Sequence, residues 1–224
     1  MKLSTIRSTL LVSIFSLLVS CSDSNNVATK PDEINKNASE KENIMLLVSA
    51  NWLNGHINDE NLVILDTSVL VEVDESGYKT ISGLEEYNKA HIQNARFADL
   101  KGKLSDISSG KDFVMPSPEQ FQNAMRDLGV NQDSHVVIYS RDNQSWPTRI
   151  WWMLKWAGFN RASILNGGFE AWKENGFAIS NQQVPFKKGN FEFKLKNGIV
   201  AVQEHVKNAI HNENIKIVDS LSPG

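Results

Sequence analysis

The sequence predicts an α/β domain built on a mainly parallel sheet with helices on both of its faces. Three observations lead there. The runs Leu62-Val63-Ile64-Leu65-Asp66, Val136-Val137-Ile138-Tyr139 and Ala162-Ser163-Ile164-Leu165 are short and almost continuously apolar, as strands covered on both sides are. The segments between them carry apolar residues at helical spacing. Glycines and prolines punctuate the boundaries. Ligands of such sheets sit beyond the carboxyl ends of the strands, beside helix N-termini.

The elements follow in order from Ile44. After the strand 62–66, Gly83 to Ala90 reads as a short helix with Leu84 and Tyr87 on one side. Pro116-Ser117-Pro118-Glu119 opens the next helix, with Ser117 as N-cap and Pro118 at the first helical position. Phe121, Met125 and Leu128 form its apolar face, and Gly129 closes it. Thr148 to Trp156 is a strongly apolar helix ending at Gly158, and Phe169 to Glu174 is a short helix stopped by Gly176. Residues Ser140 to Pro147 join a buried strand to a helix. Their amides are expected to form a concave, anion-favouring rim.

Composition narrows the function classes. The 224 residues carry a net charge of −3, and their Lys and Arg side chains are scattered, so nucleic acid is not expected as a partner. Cys21 is the single cysteine, which rules out an intramolecular disulfide and a Cys-rich metal site within this sequence. His56, His91, His135, His205 and His211 follow no ligand pattern. Neither a metal nor a cofactor is expected.

Lys2 and Arg7 precede the apolar run Leu10 to Val19, a positive n-region and an h-region of signal-peptide length. That run is shorter than the ~20 apolar residues a membrane-spanning helix needs. Leu18-Val19-Ser20-Cys21 resembles the lipobox of bacterial lipoproteins. The resemblance implies acylation of Cys21, membrane lipid as a partner through it, and a periplasm-facing place at the cell envelope. Ser22, following the cysteine, points by the same resemblance towards the outer membrane. Residues 22–43 are rich in Asn, Ser, Lys, Asp and Glu, too polar to offset the entropy of ordering, and are expected to be a disordered tether.

The folded part, assigned to residues 44–182, resembles the two-domain thiosulfate and 3-mercaptopyruvate sulfurtransferases of the rhodanese family. The residues that carry the likeness are Leu47 to Leu53 with Leu62 to Asp66, Tyr87 through His91-Ile92 to Phe97-Ala98-Asp99, and Met115 to Phe121 with Met125 to Val130. Arg149 to Trp156, Leu165-Asn166-Gly167-Gly168-Phe169 and Trp172 continue it. Gly167-Gly168 suits a tight turn with positive φ. Trp151, Trp152, Met153 and Trp156 read as packing residues. Arg149 is expected to pair with a carboxylate and order the neighbouring loop, or to contact substrate.

The resemblance implies a sulfurtransferase fold whose reactive cysteine belongs to the second domain. The corresponding position here is Ser140, followed by Arg141, Asp142, Asn143, Gln144 and Ser145 in an active-site-like loop without its glycine. A thiolate can attack a sulfane sulfur and hold it as a persulfide; a serine hydroxyl is scarcely ionised and cannot form an S–S bond. His135 stands at the other end of the strand, about 17 Å away at ~3.3 Å per residue, so Ser140 has no base in view. No catalytic residue is therefore assigned. The family's Gly-His-Ile-Pro-Gly turn reads Ala90-His91-Ile92-Gln93-Asn94, and its basic connector residue corresponds to Asn197, with Lys194 and Lys196 beside it.

Residues 183–224 are expected to be the connector and the truncated start of a second rhodanese-like domain. Phe191 to Lys196 resembles the connector, Val200 to Ile210 the first helix and Ile215 to Ser220 the first strand, before Leu221 to Gly224. Three readings follow: a lipoprotein of this family that is catalytically inactive as this chain, a fragment of an active sulfurtransferase whose second domain supplies the cysteine, or a non-catalytic envelope module. The last would bind a small sulfur-containing anion or a protein partner at the Ser140 loop. No particular protein partner is named by the sequence.

Overall fold

The structure, a computed structural model, describes residues 44–75 and 77–220. The lipobox with Cys21 and the tether 22–43 lie outside the described residues. Five strands form one parallel sheet in the order β1-β8-β7-β2-β6. They are β1 Leu47–Val48, β2 Leu62–Asp66, β6 Arg96–Phe97, β7 His135–Tyr139 and β8 Ala162–Leu165. The three predicted strands are its three central ones.

Alternation along these strands divides the core. Val63, Leu65, Val136, Ile138 and Ala162 face a cluster with Phe121, Met125, Ile150, Met153 and Leu154. These belong to α3, Pro118–Asp127, and α4, Ser145–Trp156. Ile64, Val137, Tyr139 and Leu165 face the other cluster, with Leu53, Tyr87, Phe169 and Trp172. They meet α1 Ala50–His56, α2 Leu84–Lys89 and α5 Gly168–Glu174. Helices thus cover both faces, as continuous apolar strands require.

Several local expectations meet their cause here. Ser117 caps α3 by accepting the Gln120 amide at 3.1 Å, with Pro118 in its first turn. Gly129 adopts φ 71° after that helix. Trp151 and Trp152 pack partly buried against the first cluster, and Trp156 lies within it. In the turn after His91, Asn94 takes φ 67°, a left-handed conformation that asparagine tolerates.

Other expectations are corrected. Helix α4 begins at Ser145 rather than Thr148, because Pro147 falls in the first turn, where its missing N–H costs no helical hydrogen bond. Leu84 and Tyr87 do not share a buried side: Tyr87 is 3% exposed and Leu84 42%. The Tyr87 hydroxyl donates to Ala95 O at 2.7 Å and its ring stacks on His91, which draws this side of α2 inward. A hairpin of β3 Val69–Asp74 and β4 Gly77–Ser82 fills a stretch to which the sequence reading gives no element. A short antiparallel pair joins β5 His91–Ile92 to β9 Ile179–Ser180.

Residues 183–200 lie along the same domain. Phe191 is fully buried, its amide donates to Val130 O at 3.1 Å, and Lys194 and Lys196 donate their amides to Ala157 O and Trp156 O. Helix α6, Gln203–Ile210, forms where a helix is expected. Ile215 to Ser220 is not a strand: it has no neighbouring strand to pair with among the described residues, and an unpaired segment leaves its amides to water.

Candidate functional site

Parallel strands end together, so the residues at their carboxyl ends meet in space. Asp66 closes β2 in register with Tyr139, which closes β7. Ser140 follows Tyr139, and Thr67 and Ser68 follow Asp66; all five are buried. The predicted loop therefore stands over a buried polar layer.

The loop spends its own hydrogen-bonding groups on closing itself. The Ser140 hydroxyl donates to Asn143 O at 2.8 Å. The same carbonyl accepts the Trp146 amide, while Asn143 Oδ1 accepts the Ser145 amide at 2.9 Å. Ser140 O accepts the Phe169 amide at 3.0 Å. That contact needs glycine beneath it: Gly167 and Gly168 have φ 75° and 58°. A Cβ on Gly168 would fall 2.3 Å from Ser140 O. Asp142, Asn143, Gln144 and Ser145 are exposed, whereas Ser140 has no exposed surface.

Arg141 fastens the loop to α2. Its Nη2 donates to Glu86 O at 2.9 Å and to Ala90 O, and its guanidinium lies 4.1 Å from the centre of the Phe169 ring. Its amide donates to Ser68 Oγ at 3.1 Å. The guanidinium is thus committed to backbone carbonyls and an aromatic face. Among the described residues Arg149 meets no carboxylate. It donates to Phe113 O and approaches the Met115 sulfur at 3.9 Å, tying down the 113–115 segment and holding Phe113 at φ 59°. A carbonyl replaces the expected carboxylate because α4 presents this position to that segment.

Three participants escape the sequence reading: Asp66, Ser68 and Phe169. Asp66 Oδ1 accepts the Ser68 amide at 2.9 Å, while Oδ2 is buried without a hydrogen-bond partner. Burial raises the Asp66 pKa, against the Ser68 hydrogen bonds and the Arg141 charge, which lower it. Burial, and then the Asp66 charge, pushes the Tyr139 hydroxyl well above its ordinary range. The useful signal was the pair of polar residues, Asp66 and Tyr139, ending two adjacent apolar runs.

The raised pKa has a stability consequence. In the unfolded chain Asp66 ionises at its ordinary value, so with rising pH the unfolded state sheds its proton first and is favoured. Asp66's contribution is therefore best in acid and declines as pH climbs from the unfolded towards the folded pKa. Asp66→Asn keeps an acceptor for Ser68 and removes the ionisation. We expect it to stabilise the protein more at about pH 8 than at about pH 4, measured by urea unfolding at both. An equal effect at the two would contradict this.

His135 and His91 bond within the fold. His135 Nε2 lies 2.8 Å from Ser163 Oγ and its ring is tilted against Trp52. His91 faces Tyr87 O and Gln182 O. Neither approaches Ser140 as a base.

Comparison with known proteins follows from this geometry. A model of the rhodanese-like domain matches residues 49–175. The chain is 34% identical over 173 residues to the 3-mercaptopyruvate sulfurtransferase of Escherichia coli, covering 77% of this chain and 60% of that protein. It is 29% identical over 182 residues to the thiosulfate sulfurtransferase of Cricetulus griseus, covering 80% and 60%. The crystal structure of SseA from Escherichia coli, a 3-mercaptopyruvate enzyme, matches with a TM-score of 0.67 at 34% identity, over 76% of this chain and 63% of that one. The chain thus spans 60% of the length of these curated relatives.

Proposed function

Because this chain belongs to the rhodanese-like family, with the 3-mercaptopyruvate and thiosulfate sulfurtransferases as its relatives, we propose that it is a lipid-anchored member of that sulfurtransferase type that is catalytically inactive as this chain. One observation carries the reading: the loop position suited to a nucleophile holds Ser140, buried, with its hydroxyl donated to Asn143 O. The sole sulfhydryl in the sequence, Cys21, is committed to lipid. With Ser140 in place of a cysteine and its hydroxyl donated to Asn143 O, a small sulfur-containing anion meets no sulfur nucleophile at this loop. The experiment is thiocyanate formation from thiosulfate or 3-mercaptopyruvate with cyanide. The 224-residue chain is expected to give none above the uncatalysed rate; turnover comparable to an intact relative would overturn the reading.

The second reading, in which a cysteine-bearing domain packed against this one supplies the activity, draws on the surface around α6. Val202, Val206, Ile210, Ile215, Ile217 and Val218 are all exposed, an apolar set suited to packing against a further domain. Coding sequence beyond Gly224 that continues into a cysteine-bearing loop would favour it.

Anchoring is proposed on the lipobox. Two acyl chains exceed the threshold for stable membrane binding that one alone leaves marginal. Cys21→Ser is expected to move the protein to the soluble fraction. Unchanged membrane association on fractionation would remove the lipoprotein assignment.

A further inference from the structure

A strap of chain, Gln183 to Phe186, crosses the end of the sheet beside the edge strand β6. It is held at one side by β9, by Gln182 O facing His91 Nε2 at 3.3 Å and by Gln183 Nε2 donating to Asn88 Oδ1 at 3.1 Å. On the other side Gly189 donates its amide to Arg126 O at 2.8 Å, and Lys188 pairs with Asp127 at 2.9 Å. Between these anchors Val184, Pro185 and Phe186 make no backbone hydrogen bonds among the described residues. Val184 and Phe186 remain 46% and 43% exposed.

Beneath the strap lies a cavity of about 500 Å³, lined by Tyr87, Arg96, Phe97, Leu128, Val184 and Phe186 among others. Its size falls in the range of small-molecule sites. Its walls combine the apolar side chains of Phe97, Leu128, Val184 and Phe186 with polar groups of Tyr87 and Gln183, and carry one cation. Arg96 is half-buried; Nη1 donates to Leu128 O, and the guanidinium stacks 4.2 Å from the Phe186 ring centre. Nε and Nη2 have no hydrogen-bond partner, and no carboxylate pairs with Arg96, among the described residues. Desolvation lowers its pKa, and only the weaker influence of Tyr87 opposes it. An arginine taken part-way out of water without a counterion is costly to keep unless something occupies its fork.

We propose that this cavity binds a small organic carboxylate with an apolar body, the carboxylate on the Arg96 fork and the body between Phe97, Leu128 and the strap. A planar guanidinium matches a carboxylate with two parallel hydrogen bonds. A single cation, Arg96, suits a monoanion better than the more highly charged phosphate. A second cavity, of about 310 Å³, shares Arg96 and the strap but brings in Asp59 and Glu60. Those acids disfavour an anion, which places the ligand on the Tyr87 side. The site is separate from the Ser140 loop and does not rest on the sulfur-transfer reading.

The test is titration calorimetry of the full chain with phenylacetate, phenylacetamide and inorganic phosphate. Phenylacetate is expected to bind in one equivalent, at least about tenfold more tightly than the amide, as a charged hydrogen bond contributes; phosphate is expected to bind more weakly than phenylacetate. Arg96→Gln should abolish the preference for acid over amide. Should that variant fold poorly through loss of the Leu128 contact, Val184→Glu, which adds a carboxylate to the cavity wall, should weaken phenylacetate more than phenylacetamide and so shrink the preference for acid over amide. Equal affinity for acid and amide, no binding of phenylacetate, or a preference untouched by Val184→Glu would each overturn the proposal.

Discussion

Gly168→Ala is expected to destabilise the protein by about 3 kcal/mol or more, a large share of a domain's total stability. Two costs add. A φ of 58° disfavours any L side chain by about 1–2 kcal/mol. The new methyl would also stand 2.3 Å from Ser140 O and 2.9 Å from Gln144 Nε2; the first is backbone, so the loop itself must move. Moving it breaks the Phe169 amide bond to Ser140 O and loosens the layer over Asp66. Gly176 provides the contrast. It has a comparable φ of 71° but open space where a Cβ would go, so Gly176→Ala should cost only the conformational part, about 1 kcal/mol. Urea unfolding of the two variants separates the contributions. Equal costs would mean that the close approach under the loop is wrong.

Much of the scaffold is legible in the sequence, for a physical reason. The central strands are covered on both faces, so their apolar runs are continuous and unmistakable; Ser117-Pro118 and Gly129 mark helix ends through local chemistry alone. The hairpin 69–82 is harder. Leu70 and Val69 are adjacent apolar residues, and Val71, Val73 and Tyr78 stay exposed, so no clean alternation between inside and outside survives. Residues 215–220 show the converse: their composition resembles a buried strand, yet a strand is a property of a pair and none is offered. At the site, the sequence points to the Ser140 loop, which the structure places at the carboxyl end of β7. It does not reveal the closure, because the partners are distant along the chain. Ser68 lies 73 residues from Arg141, and the carbonyls that hold the Arg141 guanidinium are offered by α2. Arg149 shows the same limit: its charge suggested a carboxylate, and only the fold could supply a carbonyl.

The loop is closed by Asn143 from within and held by Ser68, Glu86, Ala90 and the Phe169 amide from outside, so a cysteine alone would not make it carry sulfur. Ser140→Cys in a Cys21→Ser chain puts the only thiol at the start of this loop. A thiol with no exposed surface reacts mainly through transient opening of the loop, and burial disfavours its ionised form. Its alkylation by iodoacetamide should therefore be at least about a hundredfold slower than in the urea-unfolded chain. The most direct measurement is the intact mass of that variant after incubation with thiosulfate. The account predicts an unchanged mass in the folded protein; a gain of one sulfur atom, removable by cyanide, would contradict it.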